Sequence, residues 1–98
     1  MGLTASITGH VGKYCYDVPN LPRAVMHLTA ILESFDPGIS RRAEVMFRID
    51  ASNIDHLIAE SQREVFDALE YVDAKIHLGE WQKAIDRNPG LVLHFTII

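Results

Sequence analysis

The chain has 98 residues, with 13 acidic against 9 basic side chains and a formal charge of −4. That length specifies one domain over residues 1–98. The acidic balance, with Arg41-Arg42 as the only basic pair, argues against a nucleic-acid surface, which needs concentrated Lys and Arg. No apolar run approaches the ~18 residues that span a bilayer, so no membrane partner is expected. The single cysteine excludes an internal disulfide and makes a reducing, cytoplasmic setting the simpler expectation.

The first element is an alternating segment, residues 3 to 11. Leu3, Ala5, Ile7 and Val11 point one way, and Thr4, Ser6, Thr8 and His10 the other. This is a strand with one wet face. Gly9 and Gly12 mark a bulge or a hairpin bend, and in the hairpin version Lys13 to Val18 form a second strand. Asn20 is a candidate helix cap with Pro22 in the first turn. The helix that follows carries Leu21, Val25, Leu28, Leu32 and Phe35 on one stripe, and Asp36-Pro37-Gly38 ends it. Residues 43 to 50 alternate again: Ala43, Val45, Phe47 and Ile49 against Glu44, Met46, Arg48 and Asp50.

Ser52 or Asn53 can cap the next helix, whose core stripe is Ile54, Leu57, Ile58, Val65, Leu69 and Val72. Ser61 falls inside the stripe and is expected to bond back to a carbonyl one turn earlier. The stretch from Tyr71 to Arg87 supports two readings. Val72, Ala74, Ile76 and Leu78 alternate as in a strand, yet no Gly, Pro or Asn interrupts residues 54 to 78. A single straight helix cannot bury both the Ile54–Val72 stripe and a second one formed by Ala74, Leu78, Trp81 and Ile85, which lies on roughly the opposite side. The preferred reading breaks the helix near residue 71, places a strand to Leu78 and adds a short helix over Glu80 to Arg87. After the turn signal Asn88-Pro89-Gly90, Leu91 to Ile98 are apolar on both faces and predict a strand buried inside a sheet. Removing them should unfold the chain.

The resulting order, β-α-β-α-β-(α)-β, suggests right-handed crossovers. Because three strands have a polar face, helices are expected on one side only. The expected architecture is a two-layer α/β (α+β) sandwich, with a sheet of about four strands and helices packed on one face.

That uncovered face is the candidate functional surface. It would gather Thr4, Ser6, Thr8, His10, Glu44, Met46, Arg48, Asp50, Asp73, Lys75 and His77, joined by His94 if the last strand turns its even-numbered residues that way. Met46 and Tyr71, with Val92 and Ile98, would suit a subunit interface. The leading expectation is a non-enzymatic interaction domain that self-associates or binds another protein through this face, with no cofactor. The alternative is a small-molecule or metal site on the same face, with His10, His77 and Asp73 as acid/base groups.

Other signals are weaker. Trp81 is either an interface anchor or the closing residue of the core. Cys15, between Tyr14 and Tyr16, is expected to be a buried structural thiol rather than a nucleophile. His56 and Glu60 have helical zinc-ligand spacing but no third ligand in sequence, so ion pairing on a charged face fits them better. Gly9-His10-Val11-Gly12-Lys13 lacks the spacing and hydroxyl of a phosphate loop. Met1-Gly2-Leu3-Thr4-Ala5-Ser6 fits the short N-myristoylation pattern, but the same residues are needed as a strand.

Overall fold

The computed structural model describes residues 4–21 and 23–98; Leu3 and Pro22, assigned above to a strand and a helix, lie outside them. The elements are β1 (Ala5–Val11), β2 (Tyr14–Val18), α1 (Val25–Leu32), β3 (Val45–Ile49), α2 (Ile54–Ser61), α3 (Val72–Arg87) and β4 (Val92–Ile97). Short 3₁₀ turns cover Ile39–Arg41, Glu64–Phe66 and Leu69–Tyr71. The sheet is four-stranded in the order β2-β1-β4-β3, and its three pairings are all antiparallel.

The hairpin reading of residues 3–18 is the one observed. Gly12 supplies the left-handed turn residue, with φ of 56°, and the two-residue loop places Val11 opposite Tyr14. The antiparallel sheet corrects the expectation of right-handed crossovers, which applies only to parallel neighbours. The apolar C-terminal run is central: β4 pairs with β1 on one side and β3 on the other.

Alternation separates the two faces of the sheet. Ala5, Ile7, Val45, Ile49, Leu93, Phe95 and Ile97 are buried beneath the helices. Against them pack Val25, Leu28 and Leu32 of α1, Ile54 and Leu57 of α2, and Ala74, Leu78, Trp81 and Ile85 of α3. The result is the two-layer α+β sandwich expected from the strand pattern. Among the described residues no helix is long and apolar enough to cross a membrane.

The segment 62–87 corrects the sequence reading. Residues 71–78 are not a strand: Tyr71 ends a 3₁₀ turn and α3 runs unbroken from Val72 to Arg87. The stripe conflict is resolved by ending α2 at Ser61, ten residues before the expected break. Backbone in the extended region at Arg63 and Ala68 lets the chain rotate, so α3 starts in a new phase. Val65, Leu69 and Val72, assigned to the core, are therefore 63%, 91% and 43% exposed. Phe66 is buried in their place and meets Tyr71 edge-on at 5.0–5.1 Å in a chain His27–Tyr71–Phe66.

Local capping also differs in detail. α1 begins at Val25 with Ala24 before it, so Asn20 is not its cap, and Phe35 lies beyond its end. Asn53 occupies the cap position of α2 without capping it. Its side chain instead accepts from the Asp50 backbone N–H (3.0 Å) and donates to the Arg48 carbonyl (2.8 Å). Ser61 makes the expected back-bond, donating to the Ile58 carbonyl at 2.6 Å.

Candidate functional site

The open face is built by the outward residues of four strands in fixed register. One row reads Cys15–His10–Val92 and the next reads Asp17–Thr8–His94–Arg48. A third reads Ser6–Thr96–Met46. Thr8, His10, Cys15, Asp17, Met46 and Arg48 are exposed, while Ser6, Val92, His94 and Thr96 are half-buried by their neighbours. The face is hydroxyl-rich and carries opposite charges at its two edges, Asp17 on β2 and Arg48 on β3. His10 and His94 are diagonal neighbours on adjacent strands, a spacing of roughly 7–8 Å between backbones.

Several expected members are confirmed in place. His10, Met46, Arg48 and His94 all belong to this surface. Glu44 stands just before β3 at its rim, where it lines a shallow cleft of about 290 Å³ with Met46, Thr96 and Ile98. Asp50 is at the end of β3 but is engaged. It accepts from Arg48 Nε at 2.7 Å, from the Ser52 N–H at 2.9 Å, and from the Ser52 hydroxyl. These bonds, led by the Ser52 hydroxyl, hold its carboxyl below the usual range.

Other members are not there. Asp73, Lys75 and His77 lie on α3, in the layer on the opposite side of the sheet from His10. The acid/base set His10, His77 and Asp73 therefore does not converge, because the segment that carried two of its members is helical. Asp73 and His77 are one turn apart on α3 and share a cleft of about 380 Å³ with Asn20 and Arg23. Tyr71 is packed between His27 and Phe66 rather than placed on the sheet.

Trp81 is fully buried, 6.2 Å from the Phe95 ring and stacked at the same distance on His77. It is a core residue and not an interface anchor. Its buried indole N–H makes no hydrogen bond of full geometry, and its nearness to the Tyr16 hydroxyl favours the ionised form of that group. Burial, then the charge of Glu80, pushes the Tyr16 hydroxyl pKa up.

Cys15 corrects the expectation of a buried thiol. It is exposed on the open face, directly opposite His10. Asp17 was not counted among the face residues either. Both follow from the hairpin: a two-residue turn opposing Val11 and Tyr14 sends the odd-numbered residues of β2 outward beside the even-numbered residues of β1. His56 and Glu60 do not act together. Glu60 accepts from Arg63 at 2.9 Å and from the Ser34 hydroxyl, tying α2 to the end of α1. Among the described residues no three His, Cys, Asp or Glu side chains are placed to hold a metal ion.

A further concavity of about 440 Å³ lies between α1 and the turn at residues 39–41, lined by Met26, Ala30, Ile39 and Ile97. Its polar groups are already engaged. Glu33 accepts from the Gly38 N–H at 2.6 Å and from the Ser40 N–H and hydroxyl at 3.2 and 3.0 Å. Those bonds lower its carboxyl pKa. The Thr29 hydroxyl is spent on the Met26 carbonyl. A pocket that recognises a small molecule needs a few polar groups free to fix its orientation; here Thr29, Glu33 and Ser40 are bonded within the chain and Arg42 is paired with Asp36.

No protein-family model matches the chain, and comparisons with curated proteins and with solved structures give no match either.

Proposed function

We propose that this domain is a non-enzymatic interaction module of a reducing, cytoplasmic setting, and that it docks a protein chain on the open face of its sheet. The observation that carries this reading is the sheet itself. Among the described residues nothing layers over one face of the four paired strands, and that face mixes hydroxyls, two imidazoles, opposite edge charges and the 71% exposed side chain of Met46. A mixed face of this kind fits a protein surface, where apolar anchors sit among hydrogen-bonding groups. The placement of Asp73 and His77 on α3, away from His10, favours this reading over an acid/base role shared by the three.

Photo-crosslinking tests the reading. A photoreactive side chain placed at Thr8 or Met46 should give a discrete protein adduct in native extract, whereas one at Glu64 on the helical layer should not. Thr8→Arg, which adds bulk and charge at the centre of the face, should abolish adducts from Met46 without moving the melting temperature. Adducts from Glu64 alone, or none from the sheet, would refute docking at this face.

A further inference from the structure

The outer surface of the helical layer carries an unexplained apolar stripe. Leu69, Val72 and Ile76 are 91%, 43% and 53% exposed, and Gly79 continues the line with nothing within 4 Å of the Cβ that an alanine would add. The intervals are 3, 4 and 3 residues, the spacing of a coiled-coil seam. At about 100° per residue this stripe is opposite Ala74, Leu78, Trp81 and Ile85, the face by which α3 packs on its own core. Each of the three apolar side chains keeps two-fifths or more of its surface exposed, and a helical glycine carries a conformational cost.

The charges flanking the stripe discriminate between partners. Lys75 lies along one flank, with Asp73 and Glu80 along the other. None of the three forms an ion pair among the described residues. A parallel two-fold pair of α3 helices brings opposite flanks together and sets Lys75 of each copy beside Glu80 of the other, five residues on. That is the charge relation that selects partner and orientation in coiled coils. An antiparallel pair brings like flanks together and sets Asp73 against Glu80 twice, which is repulsive.

We propose that α3, with the 3₁₀ turn that leads into it, pairs in parallel with the same segment of a second copy of this chain, with Leu69, Val72, Ile76 and Gly79 forming the seam and Lys83, next on the line, bounding it. The seam is short, so the association is reversible and concentration-dependent. It uses a surface separate from the open sheet face and does not depend on docking there.

Sedimentation equilibrium over a concentration series, with the whole chain, is the primary test. The wild type should show a monomer–dimer equilibrium. Ile76→Glu, at an exposed position, should weaken it at least about tenfold by placing a carboxylate in the seam, while circular dichroism and the melting temperature of the monomer stay unchanged. Lys75→Glu and Glu80→Lys should each weaken pairing, and the double variant should restore it. In a Cys15→Ser background, Leu69→Cys should oxidise to a disulfide-linked dimer, because parallel pairing sets each residue beside its own copy. Thr8→Arg should leave the equilibrium untouched. A strict monomer at the highest attainable concentration overturns the proposal, as does a dimer that survives Ile76→Glu. Failure of the charge swap, or of the Leu69→Cys crosslink, overturns the parallel arrangement.

Discussion

Trp81 offers the most exacting test of the packing. It is fully buried between α3 and the sheet, with the Phe95 ring 6.2 Å away. Trp81→Ala should cost about 3–5 kcal/mol, the range for emptying a large aromatic site in a core that relaxes only in part. A domain of this length is stabilised by about 5–15 kcal/mol, so the variant loses a fifth or more of its stability. At about 4–8 °C per kcal/mol for a domain of this size, the melting temperature should fall by at least about 12 °C. Trp81→Phe separates two contributions. It leaves a smaller cavity, and it also removes the indole N–H, which is buried without a hydrogen-bond partner. An unsatisfied buried donor costs about 1–3 kcal/mol, so its removal offsets much of the lost packing and Trp81→Phe should cost under about 2 kcal/mol. Urea melts followed by far-UV circular dichroism measure both. A Trp81→Ala variant melting within a few degrees of the wild type would refute the core placement. A Trp81→Phe variant as damaged as Trp81→Ala would refute the unsatisfied donor.

Gly9 is buried in β1, and a Cβ there would lie 2.1 Å from the Val92 carbonyl oxygen. Gly9→Ala must force β1 from β4 and should cost at least about 3 kcal/mol in a urea melt; Gly79→Ala, which meets open space, should instead stabilise the monomer by about 0.5–1 kcal/mol. Deleting residues 91–98 removes the strand between β1 and β3 together with the buried Leu91, Leu93, Phe95 and Ile97, so the truncated chain should show no cooperative thermal transition. Glu33, Asp50 and Glu60 all have lowered carboxyl pKa values, from hydrogen bonds led by the Gly38 N–H, the Ser52 hydroxyl and the Ser34 hydroxyl respectively. The unfolded chain then binds more protons than the folded one near pH ~4. The melting temperature should be insensitive to pH above that window and fall as pH drops through it, and Ser34→Ala with Ser52→Ala should flatten the fall.

What the sequence disclosed follows from the kinds of pattern it holds. Strands β1 and β3 were legible because each alternates with period 2 over a half-buried surface, and β4 because it is apolar on both faces. The hairpin was one of two readings that Gly9 and Gly12 allowed, but the register that sets Thr8 beside Asp17 was not legible, because it depends on the length of the turn. The segment 71–78 was not, because Val72, Ala74, Ile76 and Leu78 satisfy strand alternation while only Ala74 and Leu78 are buried. Two exposed apolar residues imitated the missing half of a strand face. The end of α2 was hidden for another reason: no Gly or Pro marks residues 62–70, and the chain leaves the helix through ordinary residues, Arg63 and Ala68, in extended backbone. Of the open face, His10, Met46 and Arg48 could be placed from alternation alone, whereas His94 could be placed only conditionally, because β4 is apolar on both faces. Asp73 and His77 could not, since a shift from strand to helix moves them to the other layer.

The same misreading exposes a physical conflict that bears on what the domain does. Val72 and Ile76 are strand-favouring residues on the solvent side of a helix, a place where neither their propensity nor their burial favours them. A sequence adapted only to fold would put polar helix formers there. Pairing of α3 with a second copy would ease the conflict by burying both side chains, and Ile76 takes the seam position at which β-branched residues favour parallel dimers. In a two-layer sandwich the outer side of α3 and the open side of the sheet face opposite directions. A dimer joined through α3 would therefore turn both sheets outward, clear of each other, and give two docking faces on one particle. Two linked weak sites can exceed a single one by about 10²–10⁴-fold in avidity when a target spans both. In such a dimer the short seam and the polar sheet face, each modest alone, would gain their effect together.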